Sequence, residues 1–479
     1  MNYAVVFHTL GIVLNVNALL MLPPLLVAFI YGESDARYFL ITFALCLAIG
    51  TLVGKVKIKN KKFYTREGYV MVALSWIVIS LMGALPFYLG GYMPSYIDAL
   101  FEAVSGFTTT GSTILTDVEV LSKSMLFWRS FTHWIGGMGV LVFILAIVPL
   151  TGGESMHLMK AESPGPSVSK LVPKIRLTAF YLYAIYFVMT VIQFILLVIF
   201  DMPVFDALCM AMGTAGTGGF GIRNSSMAEY TKQAQTVTTI FMLLFGINFS
   251  FYFLLLKKKI RDAFSMSEVF TYIFIFLAVS LLITINILPE YDGFLSSFHA
   301  ATFTVSSIMT TTGFATVDFN TWPTFSKFLL VAVMFTGACA GSTGGGIKVS
   351  RIILYAKSIL KELSSLIHPR SIKVIQFDKK PVEKNVLHSA TIYIIVYVFI
   401  FAFSVLIVSI DNFDFATTFT SVAATINNIG PGLEMVGPVG NFSAFSPLSK
   451  IVFILDMLIG RLEILPMLIL FMPATWRKH

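Results

Sequence analysis

The sequence predicts an all-α polytopic membrane protein. Two extra N-terminal transmembrane helices precede four repeats of span, pore helix and span, which surround one pore with pseudo-fourfold symmetry. Three observations predict this fold. Hydrophobic residues make up 57% and charged residues 12% of the 479 residues, with a mean hydropathy of +0.84, far from the composition of soluble domains. Apolar stretches of about 20 residues, long enough to cross ~30 Å of hydrocarbon, recur along the chain. A short glycine-containing motif occurs four times.

Ten long apolar stretches are predicted to cross the membrane. The first is too long for a signal peptide and lacks a basic start and a small-residue cleavage site, so we interpret it as a retained span. The stretches cover residues 3–31, 38–54, 69–91, 125–150, 177–200, 234–256, 269–289, 326–367 (with a Gly-rich break), 387–410 and 448–473.

Four shorter apolar segments lie between successive spans and are too short to cross. They cover residues 98–109, 204–215, 295–310 and 413–426, and each ends in small or polar residues. Such segments are typical of re-entrant half-helices, which a membrane tolerates only where protein or a water-filled cavity satisfies the exposed backbone.

The basic residues predict the orientation, because Lys and Arg accumulate on the cytoplasmic side. Of the 33 basic residues, 25 lie in residues 55–66, 160–176, 257–261 and 348–384 and in the tail. On the opposite side, 15 acidic residues outnumber seven basic ones. A negative outer face raises the local concentration of cations, although surface acidity is common.

The ends of the four short segments resemble one another. They read FTTTGST (107–113), AGTGGFG (215–221), MTTTGFA (309–315) and INNIGPG (426–432). We align their central glycines as Gly111, Gly218, Gly313 and Gly430. Small residues are also common in membrane helices, where they permit close packing, but four copies at similar intervals favour a repeated structural role.

Four such strands around one axis predict a cation filter. A pore that passes a dehydrated alkali cation replaces its water shell with rings of backbone oxygens. Glycine permits the backbone conformation that aligns these carbonyls, and half-helix dipoles add oriented partial charges. The predicted cation-binding filter comprises Thr109, Thr110, Gly111, Ser112, Thr217, Gly218, Gly219, Thr311, Thr312, Gly313, Phe314, Asn428, Ile429, Gly430 and Pro431.

The repeats predict the division of the chain. Residues 1–66 form the two N-terminal transmembrane helices, and the four pore repeats cover residues 67–158, 159–262, 263–385 and 386–479. The third repeat departs from the others between Gly337 and Gly346, where five glycines in ten residues interrupt its second span. Unwound backbone at that depth lines a cavity or is covered by protein; a glycine-mediated helix contact is the alternative.

On the motifs GFTTTGST, TAGTGGFG and GACAGSTGGGIK, the chain resembles the Trk/Ktr/HKT superfamily of potassium transporters. The similarity covers essentially the whole chain, and the two extra N-terminal spans and the ending GRLEILP resemble its bacterial TrkH members. The resemblance implies potassium uptake across the bacterial inner membrane by a multi-pass protein that is not an enzyme. It implies a homodimer bound to a cytoplasmic nucleotide-binding regulatory subunit of the TrkA type. It implies potassium as the substrate, no cofactor and no nucleic-acid partner. Membrane lipid is expected to surround the chain.

The resemblance also implies a gate below the filter. Its residues would be Gly337, Gly341, Ser342, Thr343, Gly344, Gly345 and Gly346 of the loop, together with Arg461. An intramembrane charge is costly, so Arg461 is a functional candidate, with Glu463 or Asp456 as its expected partner. A buried ion pair that only holds helices together is the alternative, and we interpret Lys348 mainly as a cytoplasmic anchor.

Other functions stay open at this stage. A secondary transporter also uses broken helices, but its repeats are often inverted. Sodium or ammonium is an alternative substrate, and the sequence leaves open whether transport is passive or ion-coupled. A membrane-embedded enzyme would need clustered ionisable groups, and the seven histidines are scattered. Cys46, Cys209 and Cys339 lack metal-ligand spacing, so zinc or redox chemistry is not expected.

Overall fold

A computed structural model of the chain describes residues 1–58, 64–147, 175–370 and 373–477. Most of these residues are helical, and they also contain the antiparallel strand pair Gln376–Phe377 and Lys380–Pro381. The helices are Tyr3–Leu20, Leu22–Tyr31, Ala36–Gly54, Thr65–Gly83, Leu85–Leu89, Tyr96–Phe107, Lys123–Ile147, Ile175–Ile199, Val204–Gly216, Lys232–Phe245, Phe249–Leu256, Ile260–Ala263, Ser267–Ile287, Phe294–Met309, Thr324–Met334, Val349–Ile367, Lys384–Val408, Phe415–Ile426, Pro447–Arg461 and Leu465–Phe471, with short 3-10 turns between some of them.

The N-terminal helices form a tight antiparallel pair. Tyr3–Leu20 continues into Leu22–Tyr31, which ends at the left-handed Gly32 (φ 66°), a common helix terminator. Helix Ala36–Gly54 then returns along the first helix. A Cβ on Gly11 would lie 2.4 Å from the backbone nitrogen of Gly54, so the close approach of the two backbones requires glycine at position 11.

The long helices have the composition of membrane spans. Within the described ranges, six helices are long and apolar enough to cross a bilayer, and a seventh is added if one bent pair counts as a single span. Large apolar side chains cover their outer surfaces: Phe274 is 71% and Phe399 73% exposed. Burial in lipid rather than in protein explains these side chains, so the chain is a multi-pass membrane protein.

Two predicted continuous spans are wrong, because their helices are broken. The stretch 234–256 is Lys232–Phe245 followed by Phe249–Leu256, bent by 89°. The Asn248 side chain accepts the N–H of Ser250 at the start of the second piece, which favours a new helix there. The stretch 448–473 breaks after Arg461, where Glu463 (φ 57°) and Ile464 (φ 32°) leave the helical region.

The predicted break within residues 326–367 lies between helices Thr324–Met334 and Val349–Ile367. The last three residues of the predicted span 125–150 lie outside the described residues, as does the predicted repeat boundary at 158/159.

Four short helices occupy the interior. We call Tyr96–Phe107, Val204–Gly216, Phe294–Met309 and Phe415–Ile426 half-helices 1 to 4. At 12 to 16 residues they are shorter than a bilayer span. Capping starts two of them: Ser95 Oγ accepts the N–H of Asp98 (3.2 Å), and Asp414 Oδ1 accepts the N–H of Thr417 (2.9 Å). Their C-terminal halves are fully enclosed by the long helices.

Candidate functional site

Each half-helix ends with the same backbone hydrogen bonds. In half-helix 1, the N–H of Thr109 donates to the carbonyl of Gly106 (3.1 Å) and that of Thr110 to Ser105 (2.9 Å). The second bond belongs to a Schellman-type cap, which needs a left-handed residue. The same pair of bonds recurs at the other three ends, donated by Thr217 and Gly218, by Thr311 and Thr312, and by Asn428 and Ile429.

The left-handed residue is not glycine at any of the four ends. These residues are Thr109, Thr217, Thr311 and Asn428, with φ between 54° and 59°. The left-handed conformation costs a non-glycine residue roughly 1–2 kcal/mol. Four copies of the same unfavourable backbone therefore require tertiary contacts that stabilise them, and such backbone strain clusters at functional sites.

A left-handed glycine follows two residues later in every copy. Gly111, Gly219, Gly313 and Gly430 have φ values of 84°, 78°, 86° and 99°. This finding corrects the alignment of the second motif: Gly219, not Gly218, occupies the position of the other three central glycines. The run of two glycines concealed the register, since either one satisfies the sequence pattern.

The four segments that follow the half-helices meet in cyclic order. We call residues 109–112, 217–219, 311–314 and 428–431 segments 1 to 4. A Cβ built on Gly111 would lie 2.0 Å from the carbonyl oxygen of Gly218 in segment 2, and one on Gly219 would lie 1.8 Å from that of Thr312 in segment 3.

The remaining two contacts close the cycle. A Cβ on Gly313 would lie 2.2 Å from the carbonyl oxygen of Ile429, and one on Gly430 would lie 2.9 Å from that of Thr110. Two independent reasons therefore require glycine at these four positions. The backbone has a positive φ, and a side chain would collide with the carbonyl oxygen of the next segment. The structure thus brings all four predicted segments together.

Side-chain hydrogen bonds join segment 4 to segment 1. Ser112 Oγ donates to the carbonyl of Gly430 (3.0 Å). Asn428 Nδ2 donates to Thr110 Oγ1 (2.9 Å) and to the carbonyl of Met457 (2.9 Å). The asparagine that replaces a threonine in the fourth motif therefore reaches across the junction.

A histidine supports segment 2, where the motif lacks a second threonine. His133 Nδ1 lies 2.8 Å from the carbonyl of Gly106, and its Nε2 accepts the N–H of Phe220 (3.1 Å). A Cβ on Gly218 would lie 2.2 Å from the imidazole, so glycine is required for the ring to fit. His133 was not predicted as a site residue, because the seven histidines are scattered along the sequence.

Buried ion pairs surround the segments on their outer side. Arg129 donates to Glu102 Oε1 through Nε (2.9 Å) and to the carbonyl of Gly221 (3.0 Å), and both charged side chains are almost inaccessible. Lys450 Nζ lies 2.7 Å from Asp98 Oδ1 and so links half-helix 1 to the last long helix. Fully hydrogen-bonded pairs of this kind tolerate burial.

The loops on the side predicted to face outward carry ionised carboxylates. The side-chain amide of Asn224 donates to Asp117 (2.8 Å) and lowers the pKa of that carboxyl. Hydrogen bonds from Ser225 and Arg223 lower the pKa of Glu229. These exposed groups therefore stay negative at neutral pH, and a face that carries them attracts cations.

The glycine loop, residues 337–346, lies directly against the half-helix ends. The N–H of Gly345 donates to Thr311 Oγ1 (2.7 Å). A Cβ on Gly345 would lie 2.7 Å from the carbonyl oxygen of Asn427, and one on Gly344 would lie 3.0 Å from that of Thr310. The absence of side chains thus lets the loop backbone approach segments 3 and 4.

Glu268 joins this loop to the start of the helix that follows it. Its Oε1 accepts the N–H of Ala340 (2.7 Å) and the N–H of Ser350 (3.0 Å). The bent helix pair supplies a second anchor, since the N–H of Phe249 donates to Gly341 (3.0 Å) and the N–H of Cys339 to Gly246 (3.0 Å). An acidic residue in the first turn of an apolar helix was the sequence signal for Glu268, which the sequence analysis missed.

Two cations hold the loop carbonyls. Arg461 donates to the carbonyls of Thr343 (2.7 Å) and Gly136 (2.7 Å). Lys348 is buried and donates to the carbonyls of Gly344 and Gly345, so interpreting it mainly as a cytoplasmic anchor was wrong.

The expected partners of Arg461 are engaged elsewhere. Glu463 pairs with both terminal nitrogens of Arg351, and Asp456 accepts a hydrogen bond from Ser404.

The fold and the converging half-helix ends place the chain in the class of polytopic membrane transport proteins. A family model described as TrkH, cation transport protein, matches residues 36–287 and 294–478. The chain belongs to the TrkH family. This confirms the resemblance inferred from the filter and loop motifs, and membership in a transporter family agrees with the expectation that the chain is not an enzyme.

Named relatives agree over the full length. The chain is 35% identical to a Trk system potassium uptake protein TrkH from Salmonella typhimurium, with 100% of both chains covered. It is 33% identical to the potassium uptake protein TrkG from Escherichia coli, with 99% of both covered. The crystal structure of the potassium transporter TrkH from Vibrio parahaemolyticus superposes with a TM-score of 0.89 at 32% identity over 100% of both chains.

Proposed function

We propose that this chain takes up potassium across the bacterial inner membrane through one pore, with segments 1 to 4 as its selectivity filter. The cyclic contact of the four left-handed glycines with the carbonyls of the next segments carries this proposal. It implies that the carbonyls of Thr110, Gly218, Thr312 and Ile429 lie at one level around an axis. Four oxygens at one level are what a dehydrated alkali cation requires.

The half-helices favour a cation at this place. Each directs its C-terminus at the segment junction, and the C-terminal end of a helix carries a partial negative charge. The hydroxyl of Thr109, which is buried without a hydrogen-bond partner in the described structure, is available as a further oxygen ligand. The pseudo-fourfold arrangement of four repeats, bounded near residues 66, 158, 262 and 385, is part of the proposal.

The glycine loop is the proposed gate. It lies against the half-helix ends of repeats 3 and 4, and Arg461 places a positive charge on its Thr343 carbonyl. A cation at this position repels potassium electrostatically. Opening then requires the loop and Arg461 to separate, which breaks the bonds of Arg461 to Thr343 and Gly136.

The names of the relatives support a multi-component system, because they denote parts of a Trk system. We propose that this chain forms a homodimer and binds a cytoplasmic nucleotide-binding subunit of the TrkA type. The basic inner loops, such as residues 348–384, are the proposed docking face.

Isotopic flux into proteoliposomes tests the pore. We expect potassium and rubidium to enter faster than sodium in the wild type, and we expect Gly111→Ala and Gly313→Ala to abolish this preference or the flux itself. Gly32→Ala is the matched control, because Gly32 also has a positive φ (66°) but nothing lies within 4 Å of an added Cβ. Unchanged selectivity in both filter variants would exclude this filter.

A further inference from the structure

One buried carboxyl takes no part in the arrangement described so far. Asp456 lies on helix Pro447–Arg461 and is 1% exposed. Ser404 Oγ, on helix Lys384–Val408, donates to its Oδ1 at 2.8 Å. Its Oδ2 is buried and has no hydrogen-bond partner within the described structure. An ionised carboxylate in this position would have half of its charge unsolvated.

The other buried acids accept more hydrogen bonds than Asp456 does. Among the described residues, each of the six others accepts at least two hydrogen bonds. Glu102 binds Arg129, Thr113 and the N–H of Ile114, and Glu268 binds two backbone N–H groups. The remaining four are Asp35, Glu67, Asp98 and Asp206. Asp456 is therefore the exception in a chain that otherwise solvates its buried carboxylates.

Among the described residues, the cations on the helices packed against Asp456 bind other groups or lie far along the helix. On half-helix 1, Asp98 is paired with Lys450 and Glu102 with Arg129. Half-helix 4 contains no ionisable residue.

Helix Lys384–Val408 and the helix of Asp456 itself complete the surroundings. Helix Lys384–Val408 carries the buried Tyr393 and Tyr397. Its Lys384 and His388 lie 20 and 16 residues before Ser404. On Pro447–Arg461, the guanidinium of Arg461 binds the carbonyls of Thr343 and Gly136.

We propose that Asp456 is a proton-binding site: its carboxyl is protonated at neutral pH, and loss of the proton increases cation flux through the adjacent filter. The neutral acid avoids the cost of a buried, singly hydrogen-bonded anion. The protonation of Asp456 concerns the chain alone, whereas its effect on cation flux rests on the proposed function.

The site lies next to segment 4. The carbonyl of Met457, the residue after Asp456, accepts a hydrogen bond from Asn428, whose Nδ2 also binds Thr110 Oγ1. A negative charge on Asp456 would therefore appear one residue from a group that holds the junction of segments 4 and 1. In a medium of intermediate dielectric such a charge attracts a cation in the filter.

Infrared spectroscopy of the purified full-length protein tests the protonation. We expect a protonated-carboxyl C=O band at pH 7 that shifts in D2O, disappears at high pH and is absent from Asp456→Asn. Glu383→Gln, which removes an exposed carboxyl just before helix Lys384–Val408, should keep the band. An identical spectrum in wild type and Asp456→Asn would overturn the proposal.

A second variant covers the case in which Asp456→Asn does not fold. Within the described residues, the Ser404 hydroxyl donates the only hydrogen bond to this carboxyl. Such a bond favours the ionised form, so Ser404→Ala should raise the pH midpoint of the band. An unmoved midpoint would contradict the assignment of the band to Asp456.

Rubidium flux at different pH values tests the coupling. Across the midpoint of the band we expect flux to rise by roughly three- to tenfold, as one added charge close to an ion path predicts. Asp456→Asn should stay at the low-pH rate. A pH response retained in Asp456→Asn would overturn the coupling, whereas absence of rubidium flux in the wild type at every pH would contradict the pore and leave the infrared result standing.

Discussion

At the scale of single residues, the half-helix ends have an unfavourable backbone conformation that specific tertiary contacts stabilise. Thr109, Thr217, Thr311 and Asn428 are all left-handed, and each is followed by a left-handed glycine that faces a carbonyl oxygen of the next segment. Where a motif lacks a threonine, another group takes over. In segment 2 this group is His133, and in segment 4 it is the amide of Asn428.

Replacing His133 should destabilise segment 2. In His133→Phe, the carbonyl of Gly106 and the N–H of Phe220 lose their buried partner. Each unsatisfied group costs roughly 1–3 kcal/mol, so we expect a lower thermal unfolding temperature and weaker preference for potassium over sodium. His388→Phe, at an exposed position, is the control and should change neither. Wild-type stability in His133→Phe would show that the imidazole does not support the segment.

At the scale of elements, the glycine loop is an irregular backbone held by a few side chains. Glu268 binds Ala340 within the loop and Ser350 just after it, and Lys348 and Arg461 bind loop carbonyls. Arg351 pairs with Glu463 next to the break after Arg461. A glycine-rich segment that is held by a few side-chain hydrogen bonds can move as a unit once these bonds are released.

Removing the Glu268 anchor should loosen the loop. In Glu268→Ala, the N–H groups of Ala340 and Ser350 lose their acceptor. Cys339, which is fully buried within the loop, is a built-in probe, and we expect its maleimide labelling to become faster. The control Glu290→Ala alters an exposed acid beyond the other end of the same helix. Equal labelling rates in both variants would argue against the anchor.

Substitutions at Arg461 should separate its charge from its hydrogen bonds. Arg461→Ala removes both, so the proposed gate predicts higher potassium flux. Arg461→Lys retains the charge but cannot donate to Thr343 and Gly136 with one planar group. We expect an intermediate flux from it. Flux at or below the wild-type rate in Arg461→Ala would contradict the gate and favour a purely structural role.

At the scale of the whole molecule, contacts between distant parts of the chain close the cycle. Lys450 and Asp98 are 352 residues apart, yet their ion pair joins the last long helix to half-helix 1. The Ser112 and Asn428 hydrogen bonds span 318 residues each and cross the same junction. The site is therefore complete only when the last helices have packed against the first repeat.

Breaking the Asp98–Lys450 pair should test this closure. Lys450→Met leaves a buried unpaired carboxylate and should destabilise the protein by about 3–5 kcal/mol, measured by chemical unfolding in detergent. The double variant Asp98→Asn/Lys450→Met should recover much of this loss. Lys327→Met is the matched control: its pair with Glu434 is long (3.8 Å) and partly exposed, so we expect less than about 1 kcal/mol. Equal losses in the two lysine variants would contradict a special role for Asp98.

Local composition was enough to predict the membrane class, the half-helices and the family. Apolar length and short repeated motifs depend on neighbouring residues, so they can be recognised along the chain. The half-helix ends were predicted to within two residues of Phe107, Gly216, Met309 and Ile426. The breaks at Gly246 and Glu463 were missed, because a bent helix and a straight one have the same hydropathy.

Partners and register were decided by tertiary structure. The choice of Gly219 over Gly218, the carbonyl partners of Arg461 and the roles of His133, Glu268 and Lys348 depend on residues far away in sequence. Hydrogen bonds and charges act over a few ångströms in space, and no local pattern records which segments the packing brings within that distance.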